Sequence, residues 1–280
     1  MNKEILIICR GGGDLATGIV HRLFRAGYQV LILETAEPAA IRRQVSFCEA
    51  VYEGTATVEG VTAERICTAK KQAVEEVLQR GRIPILVDPD GRSIEVLKPD
   101  VVVDAIIAKK NLGTYKEMAP LVIGIGPGFV AGKDVHLVVE SMRGHNLARI
   151  LETGSALANT GIPGNIGGYT KERVIHAVAE GYMKNIHQIG DVVQKGEEIA
   201  RIYEQMSPEG VFSGRFVSVE ATIPGVLRGL IREGYHFQKG FKIADIDPRE
   251  SELANCFTIS DKASSIGGSV LEAVCRYVNG

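Results

Sequence analysis

Residues 5–34 read ILIICRGGGDLATGIVHRLFRAGYQVLILE. Ile5–Cys9 is continuously apolar, the pattern of a strand buried on both faces. Leu15, Ile19, Val20, Leu23 and Phe24 then recur at helical spacing, and Gly27 ends the helix. Gln29–Leu33 is a second apolar run that stops at Glu34. Strand, glycine turn, helix and strand form the unit from which parallel sheets are built. The alternation continues outward. Lys70–Arg80 reads as a helix with Ala73, Val74, Val77 and Leu78 as its stripe, and Ile83–Val87 as a strand ending at Asp88. Val101–Ile107 and Leu121–Ile125 are further strands, and residues 134–140 alternate as a half-exposed one.

Gly11-Gly12-Gly13-Asp14-Leu15-Ala16 is G-x-G-x-x-A between a strand and a helix, and Glu34 ends the next strand 23 residues after Gly11. This is the spacing of a dinucleotide fingerprint. The first glycine allows a sharp turn, and the second lets backbone N–H groups approach a pyrophosphate. The small third residue lets helix and strand pack, and the helix N-terminus offsets phosphate charge. Glu34 is placed to accept from ribose hydroxyls, which favours NAD over NADP. Asp14 opposes this reading, because it puts negative charge in the first helical turn. The alternative is a glycine turn with no ligand. Further candidates follow strands: Asp88, Asp104, Lys109, Lys110 and Asn111, and the Gly124–Phe129 loop, in which Gly126 and Gly128 could form a second anion nest. A solvated loop and a plain turn are the bland alternatives. His136, Glu140, Arg143 and His145 match no metal spacing, so no metal is expected, and Arg143 and His145 suit an anion better. Cys9 stands at the mouth of the glycine loop, where a small buried hydrophobe is the commoner role. No Ser-His-Asp set, Walker loop or kinase signature is present, and no catalytic residue is named.

The chain has 280 residues, 45% of them hydrophobic and 24% charged, the balance of a globular protein of one or two domains. A net charge of −2 gives no basic field, and 6% aromatics without Trp give few stacking platforms, so no nucleic acid is expected as partner. Five cysteines without a CxxC pair argue against a disulfide framework and fit a reducing, cytoplasmic location. No apolar run approaches the ~18 residues of a membrane span, and the first apolar run is too short for a signal peptide.

Residues 177–202 and 221–246 align at a constant offset of 44 with nine identities, among them Gly181/Gly225, Gly190/Gly234, Gly196/Gly240 and the QKG turns. The glycines fall where turns need positive φ, and the repeated isoleucines fall on short strands. This arrangement resembles the biotinyl/lipoyl barrel-sandwich hybrid. Carrier domains of that kind bear their modified Lys on the hairpin joining the halves. Tyr203–Glu220 contains no Lys, so neither lipoyl nor biotin is expected. The expected fold class is therefore α/β, a Rossmann-like, mostly parallel sheet domain followed by such a hybrid. The divisions are 1–130 for the first domain, 131–176 for a glycine-rich connection, 177–247 for the hybrid and 248–280 for a terminal segment. A closing helix runs from Ile266 to Val278, on Leu271, Val274, Cys275 and Val278.

Several stretches together resemble one family: CRGGGDLATGIVHRLFRAGY, EPAAIRRQVSFCEAVYEG, VIGIGPGFVAGKDVHLVVESMRGH, TGIPGNIGGYTKERV and KIADIDPRE. They are similar to accessory proteins of selenium-dependent molybdenum hydroxylase systems, with the xanthine dehydrogenase accessory factors as distant relations. The resemblance implies a cytoplasmic maturation factor with a molybdenum hydroxylase as protein partner. Its glycine loop would hold a phosphate-bearing small molecule, either the molybdenum cofactor or NAD. An NAD-dependent oxidoreductase and a non-enzymatic scaffold docking on the hydroxylase are the alternatives. Whether the chain is an enzyme, and whether it forms a homo-oligomer, stay open.

Overall fold

The structure is a computed structural model that describes residues 5–159, 161 and 164–280. The chain divides into two compact units. The first comprises Met1–Pro38, Val45–Thr160 and Ile259–Gly280, and the second Ala39–Gln44 and Gly161–Thr258. Pro163, part of the glycine-rich 153–168 stretch, lies outside the described residues. Among the described residues no helix is long and apolar enough to cross a membrane.

The first unit is built on β1 (Leu6–Arg10), α1 (Asp14–Arg25), β2 (Gln29–Glu34), α2 (Ala50–Glu53), β3 (Thr55–Val58), β4 (Val61–Ile66), α3 (Lys71–Gln79), β5 (Ile83–Val87), α4 (Arg92–Leu97), β6 (Val101–Asp104), β7 (Leu121–Ile125), β8 (Leu137–Val139) and β9 (Ile150–Leu151). Its nine strands lie in the order β3-β4-β5-β2-β1-β6-β7-β8-β9. The seven central strands are parallel, and β3 and β9 run antiparallel at the two edges. Ile7 and Cys9 of β1 point into the core under α1, while Ile8 points into the core on the opposite face, so both faces are covered.

The second unit holds β10 (Val174–His176), β11 (Gly181–Asn185), β12 (Val192–Val193), β13 (Glu198–Met206), β14 (Phe212–Glu220), β15 (Gly225–Leu230), β16 (His236–Phe237) and β17 (Lys242–Asp247). They form two four-stranded antiparallel sheets, β10-β17-β15-β12 and β14-β13-β11-β16. The repeat halves exchange their short strands, β12 pairing with β15 and β16 with β11. A Cβ on Gly181 would overlap the Tyr203 carbonyl oxygen, and one on Gly225 that of Asp247, so both repeats need glycine for the same reason.

The expected fold class is corrected. The first sheet is mixed rather than Rossmann-like. Residues 55–66 form an antiparallel edge hairpin, and the stretch read as a connection adds β8 and β9. In place of a biotinyl/lipoyl-like hybrid confined to the repeat, the second unit also recruits residues 39–44. Leu230 N–H donates to the Ile41 carbonyl at 2.8 Å, and Ile41 packs on that unit's core. The last helix, α5 (Asp261–Val278), starts before Ile266, because the Ser260 hydroxyl accepts from Ala263 N–H and caps it there. It belongs to the first unit and packs beside α1. Gly18 faces Ala263 and Gly267, and Tyr28 reaches Cys275, so the helices run in the same direction.

Candidate functional site

The chain leaves β1 towards β2 on one side and later returns to β6 on the other. The carboxyl ends of β1 and β6 are therefore the point where strand order reverses, the usual ligand crevice of an open α/β sheet. The glycine loop lies there. Gly11 has φ +97°, and a Cβ on it would lie 3.0 Å from the Ala105 carbonyl oxygen, so the loop after β1 lies directly on the loop after β6. Gly12 is enclosed by the protein itself: its carbonyl accepts from Cys48 N–H at 2.8 Å and from the Thr17 hydroxyl at 3.1 Å. Gly13 differs. It precedes α1 with φ −71° and ψ −173°, gives no side-chain cap, and a Cβ on it would meet nothing within 4 Å. A Cβ on Gly13 would thus enter open space, immediately before α1 begins at Asp14. Ala16, the third fingerprint position, is buried in the core.

Glu34 closes one side of this cradle. Its carboxylate accepts Gly12 N–H and Thr35 N–H, each at 2.8 Å. Burial pushes its carboxyl pKa up, and the two N–H groups only partly offset this. The structure thus brings Gly11, Gly12, Gly13, Asp14 and Glu34 together. Burial, reinforced by the fields of Asp104 and Glu34, pushes the Cys9 thiol well above its ordinary value, so a reactive thiolate is not favoured there.

The other candidates are placed differently. Lys109 and Lys110 are exposed. The Asn111 side chain closes its own turn, donating to the Thr114 carbonyl and accepting Thr114 N–H, both at 2.7 Å. Gly126 N–H donates to the Val139 carbonyl at 2.8 Å and is not available to an anion. A Cβ on Gly128 would lie 2.8 Å from the Lys110 backbone, so this glycine serves loop packing. Asp88 caps α4 through Ser93 and Arg92. Burial and Lys116 hold the His136 ring below its ordinary pKa, and its Nδ1 accepts Val122 N–H at 3.0 Å. Glu140 is buried and accepts the N–H groups of Met142 and Leu157. Arg143 holds Asp261 in a bidentate pair at 2.8 and 3.0 Å, and His145 is exposed. Among the described residues no group of three His, Cys, Asp or Glu could hold a metal ion.

Two features escaped the sequence reading. Arg10 is buried, donates to Thr114 and to the Pro89 carbonyl at 3.2 Å, and stands 3.5 Å from Asp104. The Thr114 hydroxyl donates to Asp104 at 2.5 Å. This network ties the loops after β5 and β6 to the end of β1. A lone arginine closing an apolar strand was its only signal. Lys262, in the first turn of α5, had no signal at all.

No family model matches the chain. The uncharacterized protein YqeB of Escherichia coli (strain K12) is 47% identical over 274 residues, 98% of this chain and 48% of that protein. The chain therefore spans about half the length of the curated relative it matches. Similar solved structures include the product-bound ectoine utilization protein EutE of Ruegeria pomeroyi, with 10% identity, 87% and 85% of the two chains covered and a TM-score of 0.28. An aspartoacylase family protein of Mesorhizobium loti has 10% identity, 88% and 85% coverage and a TM-score of 0.30. Likeness at this level transfers no activity. The expected resemblance to molybdenum hydroxylase accessory proteins is corrected: the similar structures are of the aspartoacylase and succinylglutamate desuccinylase kind. With it fall the maturation role and its two alternatives, the oxidoreductase and the hydroxylase-docking scaffold.

Proposed function

We propose that this chain binds a nucleotide at the glycine loop. A diphosphate rests on the Gly13 backbone and the first turn of α1, and Glu34, which holds the Gly12 N–H, accepts from a free ribose diol. The observation that carries this reading is the juxtaposition of an open, uncapped Gly13 with the Glu34 carboxylate at the reversal point of the sheet. A ligand of the NAD type fits the residues present. The backbone offers N–H donors to its diphosphate, and Glu34 offers a carboxylate to its 2′-hydroxyl but would repel a 2′-phosphate. No reaction is assigned to the chain. Titration calorimetry with NAD and NADP tests the reading. The expected result is saturable NAD binding and weaker NADP binding. Absence of NAD binding, or equal affinity for the two, would overturn it.

A further inference from the structure

We propose that Lys262 is a binding residue of this site, its ammonium pairing with the ligand's diphosphate. The inference rests on the nucleotide reading above. It starts from the crossing of α1 and α5. A Cβ on Gly18 would lie 2.7 Å from the Ala263 Cβ, and one on Gly267 would lie 2.7 Å from the Gly18 carbonyl oxygen. The helices therefore touch backbone to backbone and run in the same direction, which places both N-termini at the carboxyl edge of the sheet. Asp14 stands one turn before Gly18 on the same face of α1, and Lys262 immediately precedes Ala263. Lys262 therefore lies in the first turn of α5 at the same edge of the sheet as Gly13, within the field of Asp14.

The side chain is half-buried, yet among the described residues its ammonium makes no ion pair or hydrogen bond. The carboxylates of Asp14, Glu140 and Asp261 act on its charge, Asp14 most strongly, without pairing with it. Glu140 is committed to two backbone N–H groups, and Asp261 to Arg143. A partly desolvated cation without a partner is costly, and an anion entering the cradle relieves that cost. Burial and the Arg143 charge, pulling its pKa down, are consistent with this placement.

The test compares ADP with adenosine by titration calorimetry on the full chain. Wild type should bind ADP more tightly than adenosine. Lys262→Gln should weaken ADP about 10- to 100-fold, as for a lost charge-assisted bond, and leave adenosine unchanged. Lys262→Arg should restore most of the ADP affinity. Circular dichroism checks folding, and Lys262→Met, which keeps the aliphatic stem, replaces the glutamine variant if that one does not fold. Wild type binding neither compound would overturn both the nucleotide reading and this inference. Binding of both, with ADP affinity unchanged in the variant, would overturn the role of Lys262 alone.

Discussion

Placing the same side chain at two glycines of one helix start should have opposite consequences. At Gly18 a Cβ would lie 2.7 Å from the Ala263 Cβ and 2.8 Å from its carbonyl carbon and oxygen. Two of these three atoms are helix backbone and cannot rotate away. Reaching ordinary contact at about 3.5–4.0 Å requires the helices to part by close to an ångström. Overpacking of this kind costs ~1–3 kcal/mol, and valine recovers only a few tenths of a kcal/mol in helix propensity over glycine. Because the clash is with backbone the upper end of that range applies, and Gly18→Val should lose about 2.5 kcal/mol of stability. At Gly13 the backbone is extended and a Cβ meets nothing within 4 Å. Gly13→Val should lose no more than about 1 kcal/mol, the scale of an N-cap change. Its isopropyl group fills the cradle, however, and NAD binding should disappear. Urea unfolding followed by circular dichroism reads the first quantity, and titration calorimetry the second. A Gly18→Val protein as stable as wild type would refute the described helix crossing. A Gly13→Val protein that binds NAD normally would refute the site.

Glu34→Ala should weaken NAD binding by about 1.5–3 kcal/mol, the range for a hydrogen bond to a charged group, and calorimetry reads it. The Glu34 carboxyl is held above its ordinary value of 4.5 by burial, so the native state keeps a proton that the unfolded chain has already released. Ionising it therefore costs stability as pH rises from 4.5 through the native value, and the stability of wild type relative to Glu34→Gln should fall across that window in urea titrations. Asp88→Ala removes the acceptor for Ser93 and Arg92 at the start of α4 and should cost ~0.5–2 kcal/mol in the same assay. Intact mass spectrometry should give the mass of the bare sequence, since Tyr203–Glu220 offers no lysine for lipoyl or biotinyl attachment.

Local elements were legible where one physical cause sets them. The strand, glycine turn, helix and strand of residues 5–34 follow from unbroken apolar runs around a turn, and β1, α1 and β2 lie there. The strand expected over Val101–Ile107 stops at Asp104, because that carboxylate accepts Ile106 N–H at 3.1 Å and turns the chain. The fold class was not legible. β3 and β4 alternate polar and apolar residues at a sheet edge, and β9 spans two residues, too short for periodicity to register, whereas the alternation over 134–140 did mark β8. Of the candidate site, Gly11 and Glu34 could be read because a positive-φ turn and a strand end each leave a mark at fixed spacing, whereas Gly13 has an ordinary φ and open space where its Cβ would stand, so the chain's own packing does not require a glycine there. Asn111 and Gly126 could not be separated from ligand-binding residues, because using a donor within the loop leaves the same residue type as offering it outward. Lys262 lies 248 positions from Asp14, and only the packing of α1 on α5 brings it near.

A crystal structure of the chain grown with NAD tests the central claim most directly. The ligand's diphosphate should lie against the Gly13 N–H and the first turn of α1, with its adenosine ribose hydroxyls on the Glu34 carboxylate. NAD bound elsewhere, or a glycine loop left empty at saturating NAD, would contradict it.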